Sequence, residues 1–383
     1  MKTPSLPQQI SASIKVFGFG FRNRTVRLTF SVAVPTATIA ALFFLLAAPS
    51  PAQFAYVANA DSGDISAYSI NSNGSLTSVP GSPFAAGIEP FSVSVDLMAR
   101  FAYATNFSGN NISAYRIGSN GALTPVSGSP FETGAGPISV AVDPLARFVY
   151  VANSGDNNIS AYAIGSNGAL IPVPGALFSA GFAPVSVAVD PTGRFAYVAN
   201  KMSNNISAYR IGPSGSLTPV PGSPFPAGIG PRTVTVESAA RFAYVVNEFG
   251  NSVSAYRIDS SGALTPISGS PFPAGRVPIQ AALDPSARFL YVANRGSSDI
   301  WAYSIGSNGS LTPVPGSPFP EADQPVSVAV DPAARFAYVL NRAGNNVSVY
   351  SIGSSGSLTP VAGSPSAAGI EPVSVALTRS VLK

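Results

Sequence analysis

Residues 195–241 read FAYVANKMSNNISAYRIGPSGSLTPVPGSPFPAGIGPRTVTVESAAR, and the same 47-residue unit begins at Phe54, Phe101, Phe148, Phe195, Phe242, Phe289 and Phe336. Seven such units fill residues 54–382 without a change of spacing. A fixed period of this length marks a propeller, a solenoid or an array. FAYVAN (195–200) is a short apolar run rich in aromatic and β-branched residues, which predicts a strand, and ISAYRI (206–211) predicts a second. Gly215 lies in the turn that follows, and four other units place Asn-Gly there, a pair that tolerates the positive φ of tight hairpins. A third strand over 217–220 carries Pro219, which cannot donate to a ladder and so belongs on a sheet edge. The loop GSPFPAGIG then leads to Pro231 and a fourth strand over 232–236. Four antiparallel strands with the proline-bearing one outermost make a propeller blade. The expectation is an all-β, seven-bladed β-propeller over 53–383.

The strands of a blade are named A to D from the channel outward. The chain enters the repeats on a B strand at Phe54 and leaves them on an A strand over 372–377, so blade one is built from both ends of the chain. Six acid–Arg turns join A to B: Asp96/Arg100, Asp143/Arg147, Asp190/Arg194, Glu237/Arg241, Asp284/Arg288 and Asp331/Arg335. Thr378 and Leu382 occupy the seventh copy, where a ring closed in this way has no covalent connection.

The 14 tyrosines fall at two repeat positions, as Tyr197 and Tyr209 do in the quoted unit. Sevenfold recurrence argues for packing between blades rather than for a ligand platform. The Asn that ends each B strand, such as Asn200, is expected to bond local backbone and start a turn.

Composition narrows the chemistry. The chain has no Cys and no His, which removes thiolate sites, disulfides and the commonest general base and metal ligand. Five of the 21 basic residues (Lys2, Lys15, Arg22, Arg24 and Arg27) precede the repeats, leaving 16 against 17 acidic. A near-neutral body gives no electrostatic case for nucleic acid. Arg22, Arg24 and Arg27 stand before an uncharged stretch, 28–49, that contains IAALFFLLAA and is followed by Ser50-Pro51-Ala52. Residues 1–52 therefore read as an export signal cleaved after Ala52, with an uncleaved membrane anchor as the alternative. Either places the repeats outside the cytoplasm, in the periplasm, in the medium or at the cell surface. Membrane contact is expected only through this segment.

Strands alternate in direction, so A–B and C–D turns emerge on one face and B–C and D–A loops on the other. The first face is nearly uniform. The second varies, with B–C loops ADSGD, FSGNN, SGDNN, KMSNN, EFGNS, RGSSD and RAGNN. A site needs different residues at different points of a ring, so function is expected on the variable face near the channel. The strongest departures from the repeat lie in blades five and six. Arg232 replaces an apolar residue at the start of a strand A, Glu248 follows Asn247, Arg276 ends the loop into blade six, Gln280 breaks its strand A, and Arg295 opens its B–C loop. Arg232, Arg276, Gln280 and Arg295 are the candidate ligand-binding residues, suited to a small anion, and Glu248 is the candidate catalytic carboxylate. The alternative is ordinary solvated loop charge. Asp61, Asp64 and Asp156 match no Ca²⁺-loop spacing, so no metal is expected, and no cofactor is implied.

The run PVSVAVDP leading into RFAYVAN resembles the lactonase family of seven-bladed propellers, which includes 6-phosphogluconolactonase and carboxymuconate cyclase, and is similar to the Tyr-Val-x-Asn repeats of surface-layer propellers. The resemblance covers the chain after Gln53. It implies a propeller fold and lactone-opening activity, with a His directly after the Pro that opens a strand A. Those positions here hold Phe91, Ile138, Val185, Arg232, Ile279, Val326 and Val373, so that histidine has no counterpart. Two functions follow as expectations. One is an envelope binding or scaffold protein that takes a small anion, a glycan or a protein on its variable face. The other is a hydrolase of anionic sugar lactones. A quinone-dependent propeller dehydrogenase would need Trp-rich docking motifs, and Trp301 is the single Trp.

Overall fold

The computed structural model describes residues 53–320 and 323–378. The export segment expected over 1–52 lies outside them, as does Leu382. The described residues form seven antiparallel sheets, the blades of an all-β propeller, with no helix among them. In blade five, A is Pro231–Val236, B is Phe242–Asn247 and C is Ser252–Ile258. Strand D comes in two pieces, Leu264–Pro266 and Phe272–Pro273, both paired with C.

The second piece of D lies where the sequence pattern reads as loop. Its cause is the Ser–Pro pair between the pieces. Proline cannot donate to the ladder, so D breaks there. The serine hydroxyl takes over as acceptor, with the Ala255 amide donating to Ser270 Oγ at 2.9 Å. Blade three is the control, because Ala176 and Leu177 replace Ser–Pro and its D strand runs unbroken over Leu170–Ser179.

Blades are held to each other through the tyrosines. The Tyr150 hydroxyl donates to the carbonyl of Gly215 in the next blade at 3.0 Å, and Tyr162 donates back to Glu132 of the preceding blade at 2.6 Å. Burial pushes the Tyr150 phenol far above its ordinary value, with Asp143 adding to the rise and Arg147 opposing it. Gly215 is required twice over. Its φ is +87°, and a Cβ there would lie 2.5 Å from the Phe148 ring.

The ring closes as the turn chemistry implies. Strand Pro372–Leu377 pairs antiparallel with Gln53–Asn59, with Val57 opposite Val375. Thr378 does there what the aspartate does in five of the six covalent turns. Its Oγ1 accepts from the Phe54 amide at 2.8 Å, as Asp96 Oδ1 accepts from Phe101 at 2.9 Å.

The strand-B asparagine Asn200 acts differently from the expected backbone turn cap. The Asn200 amide group donates to Asn205 Oδ1 and Ser207 Oγ, both at 2.8 Å, pinning the base of the B–C loop. Its Oδ1 accepts from Gly181, in the D–A loop that enters the same blade. A second latch joins blades, because Asn204 in the blade-four B–C loop accepts from the Gly230 amide at 2.8 Å. The variable-face loops are therefore braced, and the first residues of each strand A start from fixed places.

Candidate functional site

The seven A strands line the central channel. At the variable-face end they enclose a chamber of about 260 Å³ whose lining includes Phe91, Ser92, Arg232, Thr233 and Gln280. One repeat position dominates the rim, the residue after the strand-B asparagine. Around the ring it reads Ala60, Phe107, Ser154, Lys201, Glu248, Arg295, Arg342. Blades four to seven thus supply four consecutive charges at structurally equivalent points.

Two of the rim cations, Lys201 and Arg295, converge on Glu248 together with Arg232 of strand A. Lys201 Nζ lies 2.7 Å from Glu248 Oε2, Arg295 Nη2 lies 3.8 Å from Oε1, and Arg232 Nε lies 3.9 Å from Oε2. The carboxylate side chain is only 7% exposed, and its contact with Lys201 is an ion pair rather than an aligned hydrogen bond. Lys201 also stacks on the Phe249 ring, 4.6 Å from its centroid. Arg342 pairs with Glu371 at 2.5 Å.

Arg232 is the pivot. It leaves the backbone one residue after Pro231, where strand A begins, and Asn204 anchors Gly230 just before it. Its guanidinium reaches toward blade two, 5.9 Å from the Phe91 ring centroid. Burial pushes its pKa below the ordinary guanidinium value. Glu248 opposes that shift, and Arg295 and Arg342 add to it as like charges. The local field is therefore positive. One buried carboxylate faces three cations, and two positive charges are left for a ligand.

Of the residues singled out by sequence, Glu248, Arg232 and Arg295 come together. Arg276 does not join them. It is exposed at the tip of the D–A loop, its amide donates to Ser297 Oγ, and its side chain forms no ion pair among the described residues. Gln280 lines the chamber, but its Oε1 accepts from the Val328 amide of the next blade at 2.7 Å. It occupies the position at which Ser92 accepts from Val140 and Ser186 from Val234, so it bridges blades. Asp64 and Asp156 are engaged in loop bonds to Asn59 and Ala135. Sequence reasoning missed Lys201, Arg342 and the aromatic pair Phe91/Phe107. Lys201 carried a signal, being the one Lys between Phe54 and Leu382.

The family model described as Lactonase, 7-bladed beta-propeller, matches residues 9–211 and 209–376. The chain belongs to the lactonase family of seven-bladed β-propellers. Among solved structures this lactonase-family chain is similar to a candidate 6-phosphogluconolactonase of Bacteroides fragilis, at 22% identity and a TM-score of 0.77, covering 87% of this chain and 99% of that one. It is also similar to the periplasmic gluconolactonase of Pseudomonas aeruginosa, at 19% identity and a TM-score of 0.74, covering 86% and 100%. At such identities the likeness is one of fold. No curated protein matches the chain.

Proposed function

We propose that this lactonase-family propeller is an exported protein that binds a small organic anion at the variable-face mouth of its channel. The observation that carries the reading is the convergence of Lys201, Arg232 and Arg295 on a single buried carboxylate. Guanidiniums in a partly desolvated mouth offer paired donors to carboxylate or phosphate. Glu248 acts as the counter-ion that holds the cations in place while the site is empty. Export is supported by the basic and then uncharged segment before the repeats, and by the likeness to a periplasmic propeller. Mature protein that begins at Gln53 is the expected product.

A second reading is favoured by the family together with the position of Glu248 at the mouth. As a lactonase, Glu248 would take a proton from water, and the hydroxide would add to the lactone carbonyl. The ring C–O bond would then break, with the proton returned to the departing alkoxide and the cations stabilising the oxyanion.

Calorimetric titration with small carboxylates, sugar acids and sugar phosphates, beside a lactone-hydrolysis assay, separates the two. Binding that weakens about ten- to a hundredfold in Arg232→Ala supports the anion site, since a charge-assisted hydrogen bond contributes roughly 1.5–3 kcal/mol. Absence of anion binding by the wild type overturns it. Lactone turnover that disappears in Glu248→Gln replaces the binding reading with the hydrolase.

A further inference from the structure

The mouth of the channel has two unlike halves. The residues after the strand-B asparagines are charged on blades four to seven and uncharged on blades one to three, where they are Ala60, Phe107 and Ser154. On the uncharged side the Phe91 and Phe107 rings pack together, with centroids 5.9 Å apart and planes tilted by 44°. Arg232 spans the gap, because its guanidinium carbon stands 5.9 Å from the Phe91 centroid while its Nε faces Glu248. Apolar surface and uncompensated positive charge thus meet at one side chain.

The chamber below continues the pattern. The first side chain after the opening Pro of each strand A is apolar in six blades, and Arg232 is the exception. The layer beneath carries Ser92, Ser139, Ser186 and Gln280, whose side-chain oxygens already accept amides from the neighbouring blade. Glu89, beside the aromatic pair, accepts from Ser108 at 2.5 Å and puts a negative charge on that side. A ligand anion is therefore steered toward Arg232 and Arg295.

We infer that the ligand of this site is a monoanion with an apolar body, its charged group on Arg232 and Arg295 and its body against Phe91 and Phe107. The inference rests on the anion-binding reading above and names the class of anion. A polyol would set several hydroxyls against the six apolar side chains that follow the opening prolines, which disfavours it. A flat or flexible hydrocarbon body packs against the half-buried Phe91 and Phe107 rings. The volume, just below the usual range of roughly 300–1,000 Å³ for ligand pockets, suits a small molecule.

The test is calorimetry on the mature protein with five probes: acetate, hexanoate, 3-phenylpropionate, gluconate and the neutral 3-phenylpropan-1-ol. Hexanoate and 3-phenylpropionate are expected to bind at least about tenfold more tightly than acetate or gluconate, because each adds buried hydrocarbon. In Phe91→Ala/Phe107→Ala, 3-phenylpropionate should fall to the level of gluconate. The wild-type series decides the matter if that variant does not fold. Gluconate binding as tightly as 3-phenylpropionate overturns this inference and leaves the anion site standing. The neutral alcohol binding as well as the acid, or no probe binding at all, overturns the anion site itself.

Discussion

Replacing Glu248 with Gln tests whether the cations at the channel mouth depend on that carboxylate. The change is nearly isosteric and removes the one negative charge that faces Lys201 at 2.7 Å, Arg295 at 3.8 Å and Arg232 at 3.9 Å. Breaking a fully buried ion pair from one side costs about 3–5 kcal/mol, because the remaining charge is stranded. Here the side chains of Lys201 and Arg295 are 19% and 35% exposed, so water carries part of the load. The expected loss is about 2–3 kcal/mol. For a domain of this size each kcal/mol moves the melting temperature by roughly 2 °C, so Glu248→Gln should melt about 4–6 °C below wild type at low ionic strength. The deficit should shrink with added salt, which screens the exposed part of the repulsion. It should shrink further with a carboxylate that binds the variant more tightly, because near saturation each tenfold gain in affinity over wild type adds about 1.4 kcal/mol more to the variant. Anion affinity should rise, since Glu248 no longer competes for the cations. The assay is thermal unfolding followed by circular dichroism, in chloride and in a carboxylate series. A variant that melts at or above the wild-type temperature in every buffer, with unchanged anion affinity, would refute the counter-ion role.

Three further outcomes follow from the scaffold. Gly215→Ala places a Cβ 2.5 Å from the Phe148 ring at a φ of +87°, and should cost about 2–4 kcal/mol in chemical denaturation. A Gly215→Ala midpoint equal to wild type would mean that the turn shifts freely. Removal of everything after Glu371 strips strand Pro372–Leu377 from Gln53–Asn59 and exposes the edge of the latter strand, so the truncated chain should melt lower or aggregate in light scattering. An alkaline titration reads the tyrosines. Burial holds the phenols of Tyr56, Tyr103 and Tyr150 above their ordinary value of 10.0, so the unfolded chain releases protons there that the folded chain keeps. Stability should therefore be flat below pH 10 and fall as pH rises through it, with tyrosinate absorbance appearing together with unfolding. Tyrosinate that appears at the ordinary pH in a still-folded protein would contradict this.

The fold was legible because the repeat itself encodes it. Pro219 marks the outer edge, and the acid–Arg turns count the covalent A–B connections. Thr378, where no such turn exists, marks the seam. The split of strand D was not legible, because it depends on Ser270 Oγ replacing a ladder acceptor, a contact between residues far apart in a unit. The same limit explains Gln280. As a lone polar residue in an apolar strand it looks like a ligand group. Its repeat register places it with Ser92 and Ser186, and that layer spends its oxygens on joining blades.

The site shows why departure from a repeat is informative only when compared column by column around the ring. Arg276 departs from a column that includes Ile88, Phe182, Ile229 and Ile370, and all four of those are exposed. A change there alters the loop tip and reaches no neighbour. Arg232 departs from a column that lines the channel, so its charge is drawn into a mouth shared by all seven blades. Lys201, Glu248, Arg295 and Arg342 are four departures in one column, and propeller symmetry places one column on one circle. The pairs of Glu248 with Lys201 and Arg295 follow from that geometry, since neighbouring blades bring equivalent rim positions within reach of each other. In the same column Phe107 is as much a departure as Lys201, although it carries no charge. A column whose members run from aromatic to cationic builds a mouth with two chemistries, and a ligand matched to both must itself be amphipathic.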